Sequence, residues 1–255
     1  MPRLHPEAAA GFSRDAQRYR RGRPDYPPAL EGWLRAALGL GPDTSVLELG
    51  AGTGKFTARL LTSGAAVTAL EPLAAMRRLL QESLPQVPAI AGRAEVLPLP
   101  DESQDAVVAA QAFHWFATPQ VLAEIRRVLK PGGHLGLIWN YRDVKVPWVA
   151  ALTDIMAPHA GGSPSFASRQ WQSVFPAPGF TPLQEDRFPH RHRGPAAQVI
   201  LDRVLSVSYI ASLPAGARAA VRAKLERLIA ETPDLAGGGD VTVPYTTFAF
   251  SCRKL

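Results

Sequence analysis

The chain has 255 residues, of which 46% are apolar, and this size fits one globular domain with or without an appendage. The first 25 residues are rich in arginine and lack an apolar core, so we expect no secretory signal. No transmembrane segment is expected in the rest of the chain, because no uninterrupted apolar stretch is long enough. The single cysteine, Cys252, excludes an internal disulfide framework and a cysteine-based zinc site, and we expect no metal. These features predict a soluble cytoplasmic protein without a membrane partner.

The formal net charge is +6, and much of it lies near the N-terminus. Residues 1–24 contain six arginines and two acidic residues. A positive field at an active site favours an anionic substrate such as a carboxylate, although the same charge also attracts nucleic acid. For Arg3, Arg14 and Arg18 we prefer the simpler interpretation of a solvated arm.

The first predicted elements surround a glycine-rich turn. Pro27 and Pro28 favour the start of a helix over Leu30–Leu38. The apolar run Val46–Leu49 predicts a buried strand, and a helical pattern follows over Phe56–Leu61. The glycines at 50, 52 and 54 lie between them, and such a strand–turn–helix unit lets the backbone approach a nucleotide-like ligand closely.

The spacing of these glycines excludes two common motifs. A dinucleotide fingerprint needs a small third residue where this chain has Lys55. A phosphate-binding Walker loop would need glycine at Leu49 and a hydroxyl residue at Phe56. What remains is E-x-G-x-G-x-G, which resembles motif I of the class I S-adenosylmethionine (SAM)-dependent methyltransferases. That resemblance implies that the loop residues bind SAM, namely Glu48, Gly50, Ala51, Gly52, Thr53 and Gly54.

A second predicted strand, Val67–Leu70, ends at Glu71. An acidic residue about 20 positions beyond the glycines, at the end of the next strand, is placed to accept hydrogen bonds from ribose hydroxyls. We therefore expect Glu71 to bind the ribose, with Pro72 and Met76 beside the adenine. The alternative for Glu71 is a solvated charge at a helix N-terminus.

The third group of residues surrounds the predicted strand Ser103–Ala110. Gly92–Glu95 before this strand and Gln111–Phe116 after it resemble the ubiquinone and menaquinone C-methyltransferases. The resemblance implies that Ala94 and Glu95 lie near the adenine, and that Gln111, Ala112 and His114 face SAM and the substrate. His114 is the candidate general base, and its alternative is an ordinary hydrogen-bonded histidine.

A helix stop at Lys130–Gly133 leads into the predicted strand His134–Trp139, an arrangement typical of the same superfamily. The N-terminal residues Phe12, Ala16, Tyr19 and Arg23–Pro27 resemble trans-aconitate methyltransferase and its relatives. That resemblance implies that residues 1–28 form a lid, whose Tyr19 and Arg23 approach the SAM carboxylate or the substrate. Residues 29–255 would then form the methyltransferase domain.

The C-terminal half contributes architecture. We expect a helix over Val144–Met156, a sixth strand over Phe180–Phe188, and a basic connector over Arg187–Arg193. Helical patterns over residues 196–210 and 215–229 predict a helical insertion at about 194–236, and the resemblance to the methyltransferases implies that it covers the substrate pocket. The alternation of the last strand, Val241–Cys252, suits a sheet edge. The expected fold is a Rossmann-like, doubly wound, seven-stranded α/β sheet, with the last strand antiparallel as in the superfamily.

The resemblance, together with the positive charge, implies methyl transfer from SAM to a small-molecule acceptor such as a carboxylate or another anionic metabolite, with S-adenosylhomocysteine (SAH) as product. A nucleic-acid methyltransferase is one alternative. Such enzymes of the N-methylating kind usually carry the motif [DN]-P-P-[YF] after the fourth strand, where this chain has Gln111–His114. A SAM-binding protein without catalysis is another, and a nicotinamide dehydrogenase is disfavoured by Lys55. The acceptor atom and the oligomeric state are not indicated.

Overall fold

The computed structural model describes residues 16–255, so the predictions that involve Arg3, Phe12 and Arg14 lie outside the described residues. The helices are α1 (Ala16–Gly22), α2 (Leu30–Leu38), α3 (Lys55–Leu61), α4 (Ala74–Ser83), α5 (Pro119–Val128), α6 (Pro147–Met156), α7 (Arg203–Leu205), α8 (Ser208–Ala211), α9 (Ala215–Glu231) and α10 (Pro233–Ala236). The strands are β1 (Ser45–Leu49), β2 (Ala66–Leu70), β3 (Ala89–Ile90), β4 (Gln104–Ala110), β5 (Leu129–Arg142), β6 (Gln184–Pro195) and β7 (Asp240–Arg253). Short 3₁₀ turns cover Phe113–Trp115, Ala157–His159 and Gln170–Val174, and a π-helix covers Ala197–Asp202.

The strands of the described residues form one seven-stranded sheet in the order β3-β2-β1-β4-β5-β7-β6. The pairs around β1 are parallel, with Val46 opposite Val67 on β2 and Ala106 on β4. Helices flank the sheet, and its last strands are antiparallel, so the predicted Rossmann-like fold class is confirmed. Parallel strands direct their carboxyl ends to one edge, and ligands bind there in open α/β sheets.

Three predictions about the last strands are wrong. β7 is not a sheet edge, because it lies between β5 and β6. β6 covers Gln184–Pro195 rather than Phe180–Phe188, so the basic residues Arg187–Arg193 belong to a strand and are not a connector. Most residues of β6 are exposed, as expected for an edge strand. The alternation of β7 does not by itself show which strands are hydrogen-bonded to it.

Local sequence explains the better-predicted elements. α2 buries Leu30, Trp33, Leu34 and Leu38 on one face, and it ends where Gly39 adopts a left-handed φ of +66°. α5 begins with a proline, and the Thr118 side chain accepts a hydrogen bond from the Val121 backbone N–H. These local signals set the helix ends without help from distant residues.

The chain divides into two compact units. The glycine-loop unit comprises Tyr26–Asn140, Pro164–Phe188 and Thr247–Leu255, and its core surrounds the buried strands β1 and β4. The helical unit comprises the described residues up to Asp25 with Tyr141–Ser163 and Pro189–Thr246. Its core contains apolar residues of α6, the π-helix, α7, α9 and β7. The proposed boundary between a lid (1–28) and a domain (29–255) stays a prediction.

In residues 16–255, none of the helices combines the length and the apolar character needed to cross a bilayer. The same residues contain no group of three or more His, Cys, Asp or Glu side chains arranged to hold a metal ion.

Candidate active site

The glycine loop follows β1 and is attached to the end of β2. The backbone N–H groups of Gly50 and Ala51 both donate to the carbonyl of Leu70, at 2.8 and 3.2 Å. Gly50, Gly52 and Gly54 have φ values of +66°, +58° and +84°. Residues with a Cβ rarely adopt this left-handed conformation, so the turn itself requires glycine at these positions.

The three glycines differ in what surrounds them. A Cβ on Gly50 would lie 2.8 Å from the Cβ of Ala112, and a Cβ on Gly54 would lie 2.9 Å from Leu80 Cγ. A Cβ on Gly52 would meet no heavy atom of the described residues within 4 Å. Gly50 and Gly54 therefore permit close packing inside the protein, whereas Gly52 keeps the outer surface of the turn accessible to a ligand.

Glu71 connects the loop to the end of β2. One carboxylate oxygen accepts from the Gly52 N–H at 2.9 Å, and the other accepts from the Leu73 N–H at 2.8 Å. Burial raises the pKa of Glu71, while these two N–H groups and the positive charge of Arg77 oppose the rise. Since each carboxylate oxygen has two lone pairs, Glu71 retains acceptor capacity for hydroxyl donors.

The loop also contains a buried hydroxyl that is suited to a ligand. Oγ1 of Thr53 is buried and has no hydrogen-bond partner among residues 16–255. A buried polar atom without a partner is costly, so such atoms in native structures mark places where a bound group completes the bonding. The left-handed turn, the open face of Gly52, the Glu71 carboxylate and this hydroxyl together fit a cofactor that carries hydroxyl and amino groups.

Glu48 has a different environment from Glu71. Its side chain is buried in the core at the end of β1, where it accepts a hydrogen bond from Oγ1 of Thr57 on α3. The pKa of Glu48 is raised to about 8, chiefly by burial; the hydrogen bond from Thr57 opposes the rise, and the nearby Glu71 charge adds to it. Glu48 is therefore neutral at pH 7 and braces β1 against α3; its predicted cofactor contact stays a prediction.

The segment after β4 lies against the glycine loop. Gln111 adopts a φ of +58°, and its backbone N–H donates to the Ile138 carbonyl at 2.8 Å. Its side-chain Nε2 donates to the Asn140 carbonyl at 3.0 Å. Strained non-glycine residues of this kind cluster at functional sites. Ala112, through its approach to Gly50, brings this segment to the predicted cofactor loop.

His114 is held by a neighbouring tryptophan. Nε1 of Trp139 donates to Nδ1 of His114 at 3.1 Å. Because an indole N–H can only donate, Nδ1 must be the unprotonated nitrogen, and the neutral ring carries its proton on Nε2. In this tautomer His114 presents an N–H donor, and the lone pair that a general base would use is already engaged.

An aromatic cluster lies behind this tryptophan in the glycine-loop unit. The Trp139 ring centroid is 4.4 Å from that of Trp171 and 5.2 Å from that of Phe166. Both tryptophans are almost fully buried. The sequence alone did not identify the hydrogen bond between Trp139 and His114, because the two residues lie on different elements.

The other predicted residues have varied surroundings. Met76 and Ala94 are buried and Pro72 is half-buried, as expected for neighbours of an adenine ring. Glu95 forms an ion pair with Arg93 at 3.0 Å. In the helical unit, the Arg23 guanidinium stacks 4.4 Å from the Tyr19 ring centroid. The cofactor contacts proposed for all these residues stay predictions.

Fold and loop together define a doubly wound α/β protein whose candidate ligand site lies at the carboxyl ends of β1, β2 and β4. The profile of a family described as methyltransferase domain matches residues 47–137. An uncharacterized methyltransferase-like protein of Schizosaccharomyces pombe is 37% identical over 244 residues, covering 95% of both chains. An uncharacterized methyltransferase of Mycobacterium tuberculosis is 39% identical over 229 residues, covering 90% of this chain and 89% of the relative.

A solved structure assigned as a type II methyltransferase from Anaeromyxobacter dehalogenans superimposes with a TM-score of 0.61 at 25% identity. The alignment covers 91% of this chain and 96% of that one. The chain belongs to the class I SAM-dependent methyltransferases. The predicted enzyme class and cofactor are confirmed, whereas the narrower likeness to the aconitate and quinone enzymes is not.

Proposed function

We propose that this methyltransferase acts on a small-molecule acceptor that carries a carboxylate, and that the carboxylate oxygen receives the methyl group. The observation that carries the proposal is the hydrogen bond from Trp139 to Nδ1 of His114. A phenol, thiol or acidic carbon needs a base before it attacks, whereas a carboxylate is already ionised at neutral pH. The net charge of +6 supports an anionic acceptor.

The residues of the glycine-loop unit have definable roles in this reaction. When bound, SAM supplies a methyl group that its sulfonium has already activated. Glu71 accepts hydrogen bonds from the ribose hydroxyls, Gly52 permits close backbone approach, and the Thr53 hydroxyl bonds a polar group of the cofactor. His114 donates through Nε2 to orient the acceptor. The remaining contribution is alignment in a site from which water is excluded.

The proposal is tested by supplying SAM with single acceptors and measuring SAH release together with the mass of the product. Small aliphatic and aromatic carboxylates should be converted to methyl esters, which hydroxylamine cleaves. Phenols and thiols of matched size should react much more slowly. Turnover confined to phenols, thiols or nucleic acid would contradict the carboxylate assignment.

A further inference from the structure

The helical unit contains an arginine, Arg203, with two buried guanidinium nitrogens that lack hydrogen-bond partners in the described part of the chain. Nε and Nη1 of Arg203 are both buried, and neither has a partner among residues 16–255. Removing a charged donor from water without replacing its hydrogen bonds is unfavourable, so most proteins avoid it. An exception of this kind needs an explanation in function rather than in stability.

A second guanidinium in the same unit has a weak partner. Nη1 of Arg142, at the end of β5, donates to the Met156 sulfur at 3.2 Å, and a thioether is a poor acceptor. Burial lowers the pKa of Arg142, and the nearby positive charge of Arg203 lowers it further. No carboxylate in the described part of the chain forms an ion pair with Arg142 or Arg203. The two like charges therefore lie close together without a counter-ion.

Two tyrosine hydroxyls accompany these guanidiniums. Burial raises the pKa of Tyr209, while the positive charges of Arg142, Arg203 and Arg23 oppose the rise. The Tyr245 hydroxyl is buried and has no hydrogen-bond partner among residues 16–255. Its electrostatic interaction with Arg142 opposes the lowering of the Arg142 pKa. Among residues 16–255 this group therefore has several hydrogen-bond donors and no carboxylate to accept from them.

The nearest acidic residue in sequence is already engaged. Asp202 precedes Arg203, but its two carboxylate oxygens accept from Nε of Arg18 at 3.2 Å and from Nε of Arg21 at 3.1 Å. Asp202 therefore ties α1 to the end of the π-helix. It is not the missing partner of Arg203.

The backbone around Arg203 is fixed from two sides. A Cβ on Gly22 would lie 2.4 Å from the Arg203 backbone nitrogen, so α1 packs directly on this residue. Nε2 of His192 on β6 lies 3.1 Å from the Gly22 carbonyl. Arg203 also follows the π-helix Ala197–Asp202, and π-helical turns occur frequently at functional sites. The backbone of Arg203 is therefore held in place, although Nε and Nη1 of its side chain lack partners among residues 16–255.

We propose that Arg142, Arg203, Tyr209 and Tyr245 form a carboxylate-binding site. Guanidinium groups bind carboxylates through paired, charge-assisted hydrogen bonds, and a carboxylate would supply both the acceptors and the negative charge that this group lacks. The carboxylate has two possible sources, the acceptor molecule or the methionine end of SAM. The assignment of the carboxylate to one of these two molecules rests on the proposed function. The inference that the site binds a carboxylate rests on the helical unit alone.

The test is calorimetry on wild type, Arg203→Met and Arg193→Met. Arg193 is the matched control because it lies in the same unit with 74% of its side chain exposed, paired to Asp240. The probes are SAH, 5′-methylthioadenosine, which lacks the amino-acid carboxylate, and succinate and benzoate. Loss of about 10- to 100-fold in affinity is expected for the carboxylate that the site binds.

If the carboxylate belongs to the cofactor, Arg203→Met weakens SAH binding and leaves 5′-methylthioadenosine binding unchanged. If it belongs to the acceptor, the substitution weakens succinate or benzoate binding and leaves SAH binding unchanged. Two results would overturn the site. One is that Arg203→Met leaves the binding of every carboxylate probe unchanged. The other is that wild type binds neither succinate nor benzoate while Arg203→Met binds SAH as wild type does. Failure of wild type to bind SAH would instead reject the proposed function, and the succinate and benzoate titrations would still test the site.

Thermal unfolding distinguishes ligand binding from a structural role. Arg203→Met should not lower the melting temperature, because it removes an unpartnered buried charge. Tyr245→Phe removes a hydroxyl without a partner, so it should keep the fold and weaken the same carboxylate probe by a smaller factor. A variant that is strongly destabilised and binds every probe normally would contradict the proposal.

Discussion

The two units differ in whether their buried ionisable side chains have hydrogen-bond partners. In the glycine-loop unit, Glu71 accepts from two backbone N–H groups and Glu48 accepts from Thr57, so both carboxyl groups have partners inside the protein. In the helical unit, the buried donors of Arg203 have no partner in the described residues, and Arg142 has only a sulfur acceptor. A charge that is already bonded shapes and stabilises a loop, whereas a charge without a partner is available to a ligand.

The largest expected effect comes from adding one methyl group to the bonded loop. Gly52→Ala should reduce SAH affinity by about 100-fold or more, close to 3 kcal/mol, because the new Cβ occupies the face that the cofactor approaches. Gly39→Ala is the matched control, since Gly39 also has a left-handed φ and free space around its Cβ position. Calorimetry should show normal SAH binding for the control, with similar small losses of melting temperature in both variants. Equal SAH affinity in the two variants would reject Gly52 as a cofactor contact.

The pH dependence of unfolding shows how the buried Glu48 carboxyl affects the stability of the protein. The folded pKa of this carboxyl, about 8, lies above the usual 4.5, so the folded state holds the proton that the unfolded state releases. The contribution of Glu48 to the free energy of unfolding is fully present below pH 4.5. It is lost as pH rises towards 8, and the loss is about a few kcal/mol at most. Urea unfolding of wild type should show this decline, and Glu48→Gln should reduce it. An equal decline in both proteins would remove Glu48 as its source.

Glu71→Gln should weaken SAH binding by about 10- to 100-fold, because a neutral amide is a poorer acceptor for ribose hydroxyls. In wild type, SAH affinity should fall as pH decreases through the raised pKa of Glu71, since protonation removes the carboxylate. The variant should lack this pH dependence. Glu82→Gln, an exposed change on α4, should behave as wild type. A pH dependence shared by wild type and Glu71→Gln would exclude Glu71 as the titrating group.

The smallest effect is expected at His114. Asn retains an acceptor for the Trp139 N–H but removes Nε2, so His114→Asn should reduce turnover by about tenfold or less and leave SAH affinity unchanged. The pH–rate profile should keep its shape. A loss of about 10²- to 10⁴-fold, together with loss of a limb near the histidine pKa, would show instead that His114 acts as a general base.

The same contrast explains what the sequence could predict. The glycine loop and Glu71 were predictable because strand ends, glycine spacing and an acid about 20 residues later are all local features of one βαβ unit. The position of β7 inside the sheet was not predictable, because its alternation is compatible with either an edge or an interior strand.

The arginine site lacked a comparable signal. Arg142 ends a strand and Arg203 follows a π-helix, and only the packed structure shows that Nε and Nη1 of Arg203 are buried without partners among residues 16–255. His114 was recognised as a candidate catalytic residue, but its tautomer depends on Trp139 and therefore on the pairing of β4 with β5. Burial and tautomer are properties of the packed structure rather than of local pattern.

The most direct test of the central claim, that the glycine loop and Glu71 form a SAM site, is calorimetric titration of wild type and Glu71→Gln. SAM, SAH, NAD and ATP would be titrated separately into each protein. We predict micromolar binding of SAM and SAH to wild type, weaker binding of both to the variant, and no binding of NAD or ATP. Absence of SAM and SAH binding, or equal affinity in the two proteins, would contradict the assignment of this site.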